Sequence, residues 1–304
     1  MFECCKKILA GMLIFLALPG ILTLFLSGRQ ACPLAAGIDI EDYVAIAAAM
    51  EIPWNAQAEA IKAQCIIART NLYREMREGG SDTLRETAAF LKESEKRESF
   101  REHFSIFEDA AAQTYGEILT WQGQVQEIPF FRISGGKTRD GKEILGEGYG
   151  YLPSVETAED LNSEEFLEGF YFTKEDLEAV LSSLYADFAW CKDEAGEEKS
   201  MEEQIVITAV DAADYVMEIQ IGNRAFLGEE LRNSLNLNSS CFTVQILGEQ
   251  IRFLCKGLGH GIGLSQYTAD VMAKEGENYK NILLRFFPSM EIMTIEYYEK
   301  IINP

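Results

Sequence analysis

Histidine is almost missing from this chain. Its 304 residues contain two, His103 and His260. Cysteine occurs seven times, but never as Cys-x-x-Cys, and no spacing fits a zinc pattern. Two isolated histidines without neighbouring cysteines make no metal-ligand cluster, so neither a metal nor another cofactor is expected. No Gly-x-Ser-x-Gly element occurs, which removes the nucleophile elbow of a serine hydrolase. A Ser-His-Asp triad would have to use His260, because His103 lies in a charged run. Ser134-Gly-Gly-Lys-Thr138 lacks the full spacing of a phosphate loop. Basic residues are scarce as well: 27 Lys and Arg face 49 Asp and Glu, a formal net charge of −22. So negative a surface repels phosphate backbones, and nucleic acid is excluded as a partner.

What is present is the balance of a globular protein, 47% hydrophobic and 25% charged. The length allows two domains at most. Ile8 to Ser27 is free of charge and about as long as a bilayer core requires, roughly 20 residues. Lys6 and Lys7 precede it, which predicts a transmembrane helix with a cytoplasmic N-terminus. The run exceeds the apolar region of a cleaved signal peptide, and a good cleavage site does not follow. The expected division is therefore residues 1–28 as tail and anchor and residues 29–304 as one extracytoplasmic domain of a single-pass membrane protein. Five cysteines lie beyond the predicted span and read as buried small hydrophobes rather than a disulfide framework.

Apolar residues at Tyr43, Ile46, Ala47 and Met50 predict a helix that ends near Glu51, ahead of Pro53. Asn55 reads as the cap of a second helix, Ala56 to about Arg77. Gly79 to Asp109 is densely charged and reads as solvated helix or loop. Gly116–Trp121 and Val125–Ile133 flank Gln122-Gly123 and predict a hairpin. Ser163–Ser200 is acidic and partly helical. Ile205–Val210, Tyr215–Ile221, Cys241–Leu247 and Ile251–Cys255 read as strands, with turns at Gly222-Asn223 and Gly248-Glu249. The glycine cluster Gly257–Gly263 precedes a predicted helix, Leu264–Lys274. Tyr279–Tyr298 reads as a helix and a last strand. Early helices and late strands give the α+β class. The acidic stretch Glu156–Glu203 reads as a solvated face or a partner surface.

One carboxylate stands out. Glu51 is preceded by Ala47-Ala-Ala-Met50 and followed by Ile52-Pro-Trp54. Apolar surroundings penalise the ionised form, and a helix C-terminus acts in the same direction. A raised carboxyl pKa suits a general acid working on a glycosidic oxygen. The plain alternative is an exposed glutamate at a helix end.

The segments around these residues resemble the stage II sporulation protein D family (the SpoIID/LytB domain). Asp42–Pro53 with Ala58–Thr70 is similar to that family's opening motif. Phe130–Thr138 resembles its Gly-Gly-Lys-Thr segment, and Gly150–Val155 its Tyr-Leu-x-Ser-Val segment. Gly228–Arg232 through Leu237–Phe242, Gly257–Ala269 and Tyr279–Ile292 follow in family order. Departures are Ala56, Gln57, Arg132 and Thr268. The His/Cys zinc cluster carried by some members has no counterpart here.

The resemblance implies a peptidoglycan lytic transglycosylase of sporulation engulfment. It would cut MurNAc–GlcNAc bonds in strands stripped of stem peptides by an amidase, alongside other membrane-anchored engulfment proteins. The family's catalytic glutamate falls on Glu51. Its arginine falls on Arg69, which either orients Glu51 or binds sugar. Ser134, Lys137, His260 and Gln266 are the candidate donors to sugar hydroxyls and acetamides; a tight turn is the plain reading of each glycine loop. A non-catalytic wall-binding module that activates an amidase is the alternative. A two-carboxylate hydrolase pairing Glu51 with Asp42 or Glu59 is a third reading.

Overall fold

The computed structural model describes residues 40–94 and 98–302. Two helices open it, α1 (Glu41–Glu51) and α2 (Ala58–Arg77). Pro53 forces Ile52 into extended geometry and so ends α1. Asn55 does not cap α2. The chain turns first, with the Ala56 N–H on the Pro53 carbonyl, and the Gln57 N–H is taken by Asp270 Oδ1 at 2.6 Å. The middle of α2 is built of small and β-branched side chains, so neighbours approach it from several sides. Ala60, Ile61, Ala63, Gln64, Cys65, Ile66, Ile67, Ala68 and Arg69 are all buried.

The charged run folds as α3 (Asp82–Ser94) and α4 (Glu98–Gln113). The apolar side of α4, with Phe107, Ala110 and Ala111, joins the core of α1 and α2. The hairpin turns where expected. Gln122 and Gly123 take φ of 52° and 73° between β1 (Glu117–Trp121) and β2 (Gln124–Val125), the turn that matches strand twist. The ladder stops at Val125, and the chain continues into β3 (Phe130–Phe131) and a short α5 (Gly141–Leu145).

A second lobe follows. It comprises β4 (Leu167–Thr173), α6 (Lys174–Leu184), α7 (Met201–Gln204), β5 (Ile205–Val210), β6 (Val216–Ile221), β7 (Arg224–Leu227), α8 (Gly228–Leu235), β8 (Phe242–Leu247) and β9 (Gln250–Lys256). Its antiparallel sheets, β5–β6–β7 and β4–β9–β8, share a core that includes Leu177, Leu181, Ile219, Phe226 and Phe253. The chain then returns to the first lobe as β10 (Leu264–Ser265), α9 (Gln266–Lys274), α10 (Tyr279–Phe286), β11 (Glu291–Thr294) and α11 (Ile295–Ile302). β11 pairs antiparallel with β1, and β10 pairs parallel with β3.

The α+β arrangement, helices early and strands late, is as the sequence indicated. The transmembrane helix and the single-pass membrane placement are not supported. No helix among the described residues is long and apolar enough to cross a membrane. The 20-residue α2 carries Glu59, Lys62, Arg69, Arg74, Glu75 and Arg77. Ile8–Ser27 itself lies outside the described residues, as does Cys32. Of the cysteines described, Cys65, Cys241 and Cys255 are buried free thiols and Cys191 is half-buried.

Gly263 fixes how the two lobes' connections meet. Its φ is +87°, and a Cβ there would lie 2.0 Å from the Pro129 carbonyl oxygen. The bare backbone lets the Leu264 N–H reach that same oxygen at 3.1 Å and start the β3–β10 pairing. Gly263→Ala should therefore destabilise by at least about 3 kcal/mol, measured as a lowered thermal midpoint or loss of a cooperative transition.

Candidate active site

Glu51 is the last residue of α1, and that helix has no basic residue in its final turn. The helix's negative end therefore adds to the cost of ionising the carboxyl. Burial raises its pKa to about 7, and a hydrogen bond from Gln64 pulls in the opposite direction. The Gln64 amide Nε2 donates to Glu51 Oε2 at 2.7 Å. Gln266, the first residue of α9, donates from Nε2 to the Glu51 backbone carbonyl at 2.9 Å and to Gln64 Oε1 at 3.3 Å. Because Gln64 Oε1 accepts from Gln266, its NH2 end faces Glu51. The result is a half-buried carboxyl bonded by one neutral amide, which a second amide, that of Gln266, orients. Beside it, the Trp54 indole N–H bonds the Ala49 carbonyl at 2.9 Å, and its ring lies 6.4 Å from that of His103.

The N-terminus of α9 is held from below by Asp160. This buried carboxylate accepts from the Ser134 backbone N–H at 2.7 Å and from the hydroxyls of Ser265 and Thr268, each at 2.8 Å. Burial raises its pKa, against the lowering effect of its hydrogen bonds with Ser134, Ser265 and Thr268. One carboxylate thus ties the Gly-Gly-Lys-Thr loop to the helix that carries Gln266.

The other residues singled out in the sequence fall in several places. Ser134 is fully buried, its hydroxyl paired with that of Thr157. Lys137 is half-buried, bridged through its backbone to Glu156, and its ammonium has no hydrogen-bond or ion-pair partner among the described residues. His260 Nδ1 accepts from the Ile262 N–H at 3.1 Å, and its ring stands edge-on to Phe131 at 5.7 Å. Burial lowers the His260 pKa, with Glu229 opposing. A neutral ring whose Nδ1 is an acceptor carries its proton on Nε2.

Arg69 is not brought to the Glu51 carboxyl. It forks onto Glu41, the first residue of α1, with Nε to Oε1 at 2.8 Å and a terminal nitrogen to Oε2 at 2.9 Å. Its remaining donors reach Thr114 Oγ1 and the carbonyls of Ala111 and Glu117. The side chain has no exposed surface, so α1, α2, α4 and β1 are joined through one guanidinium.

Gln64 and Asp160 were not singled out from the sequence. Gln64 had a signal, an uncharged polar side chain inside the apolar stretch Ala60–Ala68. Asp160 had none, because it sits among other carboxylates in an acidic segment.

Residues 29–121 match the model of the SpoIID family, described as "Stage II sporulation protein". The chain is 29% identical over 277 residues to stage II sporulation protein D of Bacillus subtilis (strain 168), an alignment covering 87% of this chain and 77% of that protein. It is 29% identical over 268 residues to the protein of the same name in Bacillus amyloliquefaciens, covering 84% and 74%. It is 23% identical over 283 residues to an amidase enhancer of B. subtilis (strain 168), covering 78% of this chain and 38% of that one. The family resemblance read from the motifs is borne out.

Arg69→Met takes the guanidinium away from the buried side of Glu41 and should cost about 3–5 kcal/mol of stability. The double variant Arg69→Met/Glu41→Leu should recover much of that loss. Urea unfolding of the three proteins checks both statements.

Proposed function

From the premise that this chain is a relative of stage II sporulation protein D, we propose that it acts on the cell wall in sporulation as a peptidoglycan lytic transglycosylase with Glu51 as its single acid and base. The observation that carries this reading is a carboxyl whose pKa is raised to about 7, bonded by an amide and, among the described residues, by no cation. Such a group is part protonated near neutrality and can both give and take a proton there.

The chemistry follows from that one group. Protonated Glu51 gives its proton to the glycosidic oxygen as the bond from the MurNAc anomeric carbon to the GlcNAc oxygen breaks. The resulting carboxylate takes the proton of the same MurNAc's C6 hydroxyl as that oxygen bonds to the anomeric carbon. The ring closes as 1,6-anhydroMurNAc, no water is consumed, and Glu51 ends protonated as it began. Gln64 keeps its amide on Oε2 in both states, which leaves Oε1 to carry the proton.

A second carboxylate is not required, and Glu59 is poorly suited to be one. Burial pushes its pKa up, but the Lys62 ammonium and the Tyr279 N–H outweigh this and hold it below the usual range. Lys137 and His260 are the proposed donors to sugar hydroxyls or acetamides. The proposed role of Arg69 and Ser134 is to hold the framework in which Glu51 and Gln266 meet. Strands already stripped by an amidase are the proposed substrate.

The amidase-enhancer relative favours a second reading, a wall-binding module that stimulates an amidase without cleaving glycan. Glu51→Gln separates the two. It keeps size and hydrogen bonding but cannot transfer the proton. Under the enzyme reading, mass spectrometry of amidase-treated strands finds anhydro-ended products with the parent and a loss of roughly 10²–10⁴-fold with the variant. Unchanged amidase stimulation by Glu51→Gln, with no anhydro products from either protein, selects the module.

The pKa fixes the pH dependence. The acid must be protonated, so cleavage should fall as pH rises through about 7. Stability responds as well. The folded pKa lies above the unfolded one, so the folded state binds the extra proton and parent stability declines from about pH 4.5 to above 7. Glu51→Gln, which cannot ionise, should therefore be more stable than the parent at pH 8, by on the order of 3 kcal/mol at most. The gain should fade towards pH 4.5, as thermal melts across this range will show.

A further inference from the structure

The outer face of the β4–β9–β8 sheet has a composition unlike the rest of the chain. Register pairs Leu167, Gly169, Tyr171 and Thr173 of β4 with Lys256, Leu254, Arg252 and Gln250 of β9. Thr243, Gln245 and Leu247 of β8 complete the face. The alternate residues, among them Phe253 and Cys255, are buried in the lobe's core, so this set points outward. None of these outward residues is a carboxylate, in a chain with 49 of them. Two are cations, Arg252, whose guanidinium bonds Gln245 and Tyr171, and Lys256, and neither has a carboxylate partner among the described residues.

Tyr171 is 52% exposed yet packed down onto the sheet. A Cβ on Gly169 would meet its ring at 3.2 Å and its hydroxyl at 3.3 Å, so the absent side chain is what lets the ring lie over the backbone. The Arg252 guanidinium sits 5.9 Å from the ring centroid, donates to the Tyr171 hydroxyl at 3.4 Å and is braced by Gln245. The result is a ring with one face on the sheet and the other in solvent, next to a planar cation. A pyranose offers an apolar face to such a ring and hydroxyls to the planar donors beside it.

We propose that this sheet face is a second binding surface, distinct from the Glu51 site, for glycan strands whose muramyl lactyl groups are free carboxylates. The choice of occupant rests on charge. Stripping stem peptides leaves one negative lactyl group per disaccharide. The acidic remainder of the surface repels such a strand, and this cationic, carboxylate-free face attracts it. The substrate class rests on the transglycosylase reading; the binding measurement below does not require cleavage. β9 runs directly into the Gly257–Gly263 segment, which carries the chain back to the first lobe and to Gln266 at the start of α9.

The test uses the full chain carrying Glu51→Gln, which cannot cut the probes. Calorimetry measures affinity for long amidase-stripped glycan strands and for chitin oligosaccharides, which have no carboxylates. Tyr171→Ala and Gly169→Ala, the latter lifting the ring, should each weaken binding of both probes by roughly fivefold or more. Arg252→Gln should weaken binding of stripped strands and reduce its salt dependence, while leaving chitin less affected. Should Tyr171→Ala fail to fold, the other two variants carry the test. Affinities unchanged in all three variants overturn the proposal. So does a Tyr171→Ala variant that melts earlier but binds as before, since the ring then only covers a strand glycine. With Glu51 intact, parent cleavage is assayed on its own. Weakened binding in the sheet variants without anhydro products from the parent would sink the enzyme reading and leave this surface standing.

Discussion

The hydrogen bond from the Gln64 amide to the Glu51 carboxyl is the contact on which the site depends. An amide stabilises a carboxylate modestly, whereas a guanidinium or ammonium in the same place would lower its pKa by one to three units or so. Burial and the end of α1 work the other way, and the balance falls near neutrality. That balance requires the cations of α2 to be occupied elsewhere. Lys62 and Arg69 lie on either side of Gln64 in sequence, and each is bonded to its own carboxylate, Glu59 at 2.6 Å and Glu41 at 2.8 Å. Their charge is thereby neutralised locally, and Glu51 is left beside an uncharged neighbour.

The rest of the fold supplies the geometry for that contact. Arg69 binds α1, α2, α4 and β1 together and so sets where Glu51 lies relative to Gln64. Asp160 fastens Ser265 and Thr268, which flank Gln266 at the start of α9. Arg139 does similar work between the lobes. It bonds Asp211 at 2.6 Å and Glu229 at 3.0 Å and lies over the Tyr215 ring at 4.9 Å, while the Tyr215 hydroxyl accepts from the Gly135 N–H. These buried polar clusters are satisfied by several partners each, the condition under which they hold a unique arrangement instead of weakening the core.

The sequence showed α1, α2, α9 and α10, the Gln122-Gly123 turn and the strands β5, β6, β8 and β9, because period and turn chemistry are local properties. It placed the cap of α2 on Asn55, where the real partner, Asp270, is remote in the chain. β4 was hidden in an acidic segment: its inward residues Phe170 and Phe172 alternate with a glycine and a tyrosine that face out. β7 followed a turn that was recognised but was too short to register. At the site, Glu51 was legible from its apolar flanks. Gln266 came from a motif, and its contact with Glu51 depends on α9 returning to the first lobe. The role of Arg69 was set by Glu41, a pairing that no sequence spacing announces.

The account rests on one number, the ionisation of Glu51 in the folded protein. Labelling glutamate carboxyl carbons with 13C and following Glu51 by NMR from pH 4 to pH 9 reads it directly, with Glu51→Gln giving the assignment. The account predicts a midpoint near 7. A midpoint close to 4.5 would show a carboxylate already ionised at neutral pH, with no proton to give to a glycosidic oxygen.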